Sequence, residues 1–107
     1  MILHCVFLRF PAGFPEASKQ ALYDEVARLQ AVVPGMIGVR SGANMSPEGL
    51  ARGFEDGFIV TFKERMSRDA YLVHPQHVVV GDKIVAATEG GLDGVFVYDL
   101  ELADLPT

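Results

Sequence analysis

The chain has 107 residues, half of them hydrophobic, enough to bury one core and too few for a second, so residues 1–107 are expected to form a single domain. Its 9 Lys and Arg stand against 14 Asp and Glu, a net charge of -5 with no Trp, and that balance argues against nucleic acid as a partner. Cys5 is the lone cysteine, which excludes an intrachain disulfide and a thiolate zinc cluster and makes the cytoplasm the default location.

The opening run MILHCVFLRF is apolar, but it lacks a basic leader and a small-residue cleavage site, and Arg9 and Pro11 cut it short. No stretch approaches the ~20 apolar residues of a membrane span, so no membrane partner is expected. Ile2 to Phe10 reads instead as a strand, with Ile2, His4, Val6, Leu8 and Phe10 on one side and Leu3, Cys5, Phe7 and Arg9 on the other. Both sides are mostly apolar, which implies cover on both faces, and Cys5 is expected to be buried and inert.

Beyond the turn signal PAGFP, Leu22, Val26, Leu29 and Val33 recur at helical spacing, predicting an amphipathic helix from Pro15 to Val33 that Pro34 and Gly35 terminate. Met36 to Asn44 reads as a second strand weakened by Gly38 and Gly42. Ser46 to Leu50 suggests a capped helical turn, with Ser46 as cap and Pro47 at the first helical position. Gly57 to Lys63 is a third strand, with Phe58, Val60 and Phe62 on one face and Ile59 on the other. A helix is expected from Ser67, acting as its cap, through Tyr71 to His74, where Pro75 interrupts it. A second helical piece runs from Pro75 to Ala87, with Gly81 as its weak point. Gly90, Gly91 and Gly94 turn the chain into a last strand, Val95 to Leu100, and Ala103 to Thr107 should fray.

The order β, α, β, β, α, β predicts an α+β, ferredoxin-like fold, a four-stranded antiparallel sheet with its helices on one face. The second face keeps its apolar residues, and such a patch marks an interface. A second copy packed face to face would complete a dimeric α/β barrel, so a homodimer through the sheet face is expected.

The segment Tyr71-Leu72-Val73-His74-Pro75-Gln76-His77 sets a phenol and two imidazoles around a helix break. With His4 on an apolar first strand, Pro34-Gly35 before the second, Gly42-Ala43-Asn44 after it and Phe62 ahead of the next helix, the chain resembles the stress-responsive dimeric α/β barrel (Dabb) family. Similarity to a polyketide-cyclase member of that family implies His77 as general base, Tyr71 as oxyanion donor, Asp99 as carboxylate partner of the histidine and His4 as a pocket residue. Val26 stands near the place of a further pocket tyrosine. The chemistry is coherent: a carboxylate fixes an imidazole's tautomer and raises its basicity, and a phenol can donate to an enolate oxygen.

Structural readings stand beside these. His77 can stabilise a helix start or bond to Asp99 across the core, and His4 and Tyr71 can be ordinary core residues. His74, ahead of a proline, should be extended and structural. No metal is expected, because Pro75 keeps His74 and His77 off one regular helical face, and no cofactor, because the glycines at 90, 91 and 94 precede a strand and make no phosphate loop. Three functions follow: a homodimeric domain binding a small apolar carbonyl-containing or aromatic molecule between helices and sheet, a cofactor-free cyclase-type enzyme, and, by fold analogy, a cofactor-independent monooxygenase.

Overall fold

The alternating apolar residues of the first ten positions place Ile2–Leu8 (β1) at the centre of a four-stranded antiparallel sheet of order β2-β3-β1-β4. The computed structural model describes residues 1–103, and beyond Ala103 the expected fraying of the tail lies outside the described residues. In chain order β1 is followed by α1 (Glu16–Arg28), β2 (Met36–Ala43), β3 (Asp56–Phe62), α2 (Arg65–Val73), α3 (Pro75–Ala87) and β4 (Val95–Glu101). This is the ferredoxin-like arrangement expected from the order of elements, with the second helix broken into two. No helix among the described residues is long and apolar enough to cross a membrane.

The helices cover one face. Ile2, His4, Val6 and Leu8 of β1 and Phe58, Val60 and Phe62 of β3 are buried beneath them, meeting Val26 of α1, Tyr71 of α2, and Val80 and Ile84 of α3. Alternation alone therefore sorted the residues of β1 and β3 correctly. Cys5 is buried as expected, and burial, reinforced by the charge of Asp99, pushes its thiol pKa up, away from reactivity.

Three local expectations are corrected. The helix α1 ends at Arg28 and tightens into a 3-10 turn over Leu29–Ala31, because Pro34 bars helical geometry to the residue before it; Val33 is nonetheless buried. Residues 46–50 form a turn without a helix. There the Ser46 hydroxyl accepts from Glu48 N at 3.4 Å, and Gly49 adopts a left-handed φ of 72° that no helix would take. Ser67 is no cap. The helix begins two residues earlier, after an extended Glu64, and Ser67 is buried in its first turn against Gly35. Gly35 has a φ of 84°, and its carbonyl accepts from Lys63 N at 2.8 Å, locking the end of β3 to the start of β2.

The opposite face has no helix. Phe96, Tyr98 and Leu100 of β4 are 49%, 44% and 42% exposed, and the rings of Phe7, Phe96 and Tyr98 lie 5.6 to 6.2 Å apart across β1 and β4.

Candidate functional site

The helix break builds the site. His74 is extended (φ −66°, ψ 131°), as the following proline requires, and its Nδ1 accepts from Gln76 N at 3.1 Å, capping α3 while Pro75 occupies the first turn. The chain thus re-enters a helix at an angle, and His77 in that first turn leans on Tyr71 with ring centroids 4.2 Å apart. Tyr71, 1% exposed, packs on Phe62 and His4 at 5.1 and 5.6 Å. Four rings from β1, β3, α2 and α3 therefore meet in one cluster.

Its polar atoms are anchored from behind. The strand register sets His4 opposite Asp99, and His4 Nδ1 donates to Asp99 Oδ1 at 2.7 Å. Arg68 Nη1 donates to the other oxygen of Asp99 at 2.6 Å. Burial pushes the Asp99 pKa up, but the bonds from Arg68 and His4 outweigh it and hold the carboxyl below its ordinary value. His77 Nδ1–H donates to the Leu72 carbonyl at 3.2 Å, which leaves Nε2 with the lone pair. Burial lowers the His77 pKa against the opposing effect of that bond, with His4 and His74 adding repulsion, so the ring is neutral at neutral pH. Burial also raises the Tyr71 pKa well above that of a free phenol, so its hydroxyl stays protonated and able to donate.

The structure thus brings together His4, Tyr71, His77 and Asp99, but pairs them differently from the sequence reading. Asp99 is the partner of His4 and Arg68, and the bond expected from His77 to Asp99 across the core is replaced by the bond to Leu72. Val26 is fully enclosed in the core of α1. Two residues were missed. Arg68 lies one turn before Tyr71 on α2, a spacing that could have flagged it as a neighbour. Tyr23 lies one turn before Val26, is 7% exposed, and its hydroxyl has no hydrogen-bond partner; burial, with Asp56 and Glu16 nearby, pushes its pKa up to about 12. Among the described residues no group of three or more His, Cys, Asp and Glu could hold a metal ion. A hollow of about 580 Å³ opens on the other face of the sheet, against Phe7, Phe54 and Phe96.

The comparisons with known proteins agree with this architecture. The profile of the Stress responsive A/B Barrel Domain, Dabb, matches residues 2–102. The chain is 27% identical over 81 residues to the olivetolic acid cyclase of Cannabis sativa, a match spanning 76% of this chain and 80% of the cyclase. Among solved structures, a dimeric ferredoxin-like protein of unknown function from Jannaschia sp. CCS1 is 32% identical, with a TM-score of 0.78 over 94% of this chain and 98% of that one. A hydroxynitrile lyase from Passiflora edulis shares the fold at 18% identity, with a TM-score of 0.79 over 99% of this chain and 96% of the lyase.

Proposed function

Because the chain belongs to the stress-responsive A/B barrel domain family, we propose that it works as a homodimer joined through the open sheet face, binding a small apolar carbonyl-containing or aromatic molecule at the His4, Tyr71 and His77 cluster. The dimer reading draws on an apolar face that no helix covers and on the 32% identical relative described as dimeric. Sedimentation at micromolar concentration should give a dimer, and a stable monomer would overturn that half of the proposal.

The ligand reading rests on one observation: two imidazoles, each fixed through Nδ1, flank a buried phenol, so that Nε2 of the neutral His77 stands as an acceptor beside a donor hydroxyl. A carbonyl compound with apolar flanks matches that set. Benzoylacetone at ~100 times its Kd should stabilise the protein by about 2.7 kcal/mol in a thermal shift. His77→Ala should lose this stabilisation, and equal shifts in both proteins would remove His77 from the site.

The bond from His77 to Leu72 favours a second reading, cofactor-free catalysis of the cyclase type. With Nδ1–H committed to a carbonyl, Nε2 of a neutral imidazole is a base suited to removing an activated C–H proton, and Tyr71 can donate to the enolate oxygen that forms. Asp99 acts through His4 and is a positioning residue. Deuterium exchange at the central carbon of benzoylacetone, followed by NMR, should slow by roughly 10²- to 10⁴-fold in His77→Ala. An unchanged rate would confine the site to binding.

A further inference from the structure

The hollow of about 580 Å³ on the open face falls within the ~300–1,000 Å³ of small-molecule sites and is separated by the sheet from the histidine cluster. Its depth comes from a pair of glycines, Gly42 of β2 opposite Gly57 of β3, and a Cβ added at Gly42 would meet nothing within 4 Å. Its walls are aromatic: Phe96 touches both Phe7 and Phe54, with centroids 6.2 and 5.8 Å apart, and the Arg9 guanidinium covers the Phe54 ring at 4.8 Å. The space is thus shaped for a flat apolar body.

Its charge is the informative feature. Arg40 and Arg52 both line the hollow, and neither makes an ion pair or hydrogen bond among the described residues. Arg52 is also the one non-glycine residue there with a left-handed backbone, at φ 59°, a conformation that surrounding structure must hold and that clusters at ligand sites. Of the adjacent carboxylates, Asp56 is paired with Lys19 at 3.1 Å, and Glu55 accepts a hydrogen bond from the neutral Asn44 amide at 3.0 Å and makes no ion pair with either arginine among the described residues. Every strand position on this face is apolar, glycine or neutral apart from Arg40, so a second copy laid over it brings no acid from its own strands. Covering Arg40 without a counter-charge would be strongly unfavourable, and a bound anion resolves this.

We propose that the hollow binds a small aromatic carboxylate, its ring against Phe7, Phe54 and Phe96 and its carboxylate on Arg40 and Arg52. The second subunit forms the roof of this site, and only that roof rests on the dimer reading above. Two guanidiniums match a carboxylate's paired oxygens, whereas a neutral aromatic would leave them unsatisfied.

The test is calorimetric titration of the full chain with 2-naphthoate and with its neutral analogue 2-naphthylmethanol, with sedimentation run in parallel. The acid should bind about 10-fold or more tightly than the alcohol, and the double variant Arg40→Gln, Arg52→Asn should erase that preference; Asn tolerates the left-handed backbone at position 52. Gly42→Leu, which fills the space without a backbone clash, should abolish binding, and His77→Ala should leave it unchanged. Equal binding of acid and alcohol, or loss on His77→Ala alone, would overturn the site. A dimer that binds neither compound and falls apart in Gly42→Leu would also overturn it, by showing that the partner's side chains occupy the space. A monomer that binds the acid through both arginines would support the site and overturn only the dimer.

Discussion

Neighbouring residues of β1 meet opposite surroundings: His4, 5% exposed, lies among rings beneath the helices, whereas Phe7 faces the uncovered side beside Phe96, which is 49% exposed. Both faces are apolar, so hydrophobicity does not distinguish them. The treatment of charge does. On the helix side the buried imidazole of His4 is paired with Asp99, which Arg68 braces in turn, as burial of polar groups demands. On the open side Arg40 and Arg52 stand without partners, which is tolerable only while water or a ligand solvates them. The covered face completes the polar pairs of its ring cluster within the chain, the Tyr23 hydroxyl on α1 being its exception; the uncovered face leaves two arginines for something else to complete.

The sharpest way to break this contrast is to delete one aromatic ring from each face. Phe62→Ala, from a fully buried position, should lower stability by about 3–5 kcal/mol in urea unfolding. Phe96→Ala should lose only about 1 kcal/mol at a dilution where the chain is monomeric, since half the ring is already in water. Equal losses would mean that the open face is as well packed as the core.

A glycine pair comes next. Gly35→Ala combines a left-handed φ of 84° with a Cβ driven into the Ser67 side chain, and should cost about 2 kcal/mol. Gly42→Ala meets no neighbour and removes a flexible residue from a strand, so thermal unfolding should show no loss and a gain of up to ~0.5–1 kcal/mol. A loss at Gly42 comparable to that at Gly35 would place hidden packing on the open side.

Asp99→Asn tests the paired charges themselves. Removing an anion that accepts from His4 and Arg68 should cost about 1–2 kcal/mol at neutral pH. Because the folded pKa of Asp99 lies below its unfolded value, its contribution is fully present above that unfolded value, about 4, and is lost as pH falls through the folded pKa. The gap between wild type and Asp99→Asn should therefore close in acid, and a gap independent of pH would show that the loss is one of packing.

The smallest effect belongs to His77. Its folded pKa is lowered, so between the ordinary value of about 6.5 and that folded pKa the unfolded chain holds more protons and stability falls as pH falls. His77→Gln should remove this component of the pH profile, and an NMR midpoint for His77 above 6.5 would contradict its burial against Tyr71.

The order of elements, the assignment of alternate β1 and β3 residues to the two faces, and the break at Pro75 were all legible in the sequence. They follow from local rules: a two-residue period in strands, a helical period in α1, and the backbone limits that proline sets on itself and on His74. At Ser67 and Asp99, where local signals misled, a longer-range contact had decided the outcome. Ser67 has the chemistry of a cap but is needed against Gly35, thirty-two positions away in the chain. Asp99 belongs to His4 because antiparallel register sets the two side by side, a pairing of residues 95 positions apart that no local pattern encodes. The same holds for the two sides of the sheet. Sequence alone determined that both are apolar. Only the tertiary structure decided which residues gather under the helices, and that the opposite side carries an aromatic hollow with two unpaired arginines, because strand register and the path of the loop from β2 to β3 bring Arg40, Arg52 and Phe96 together only once the sheet has formed.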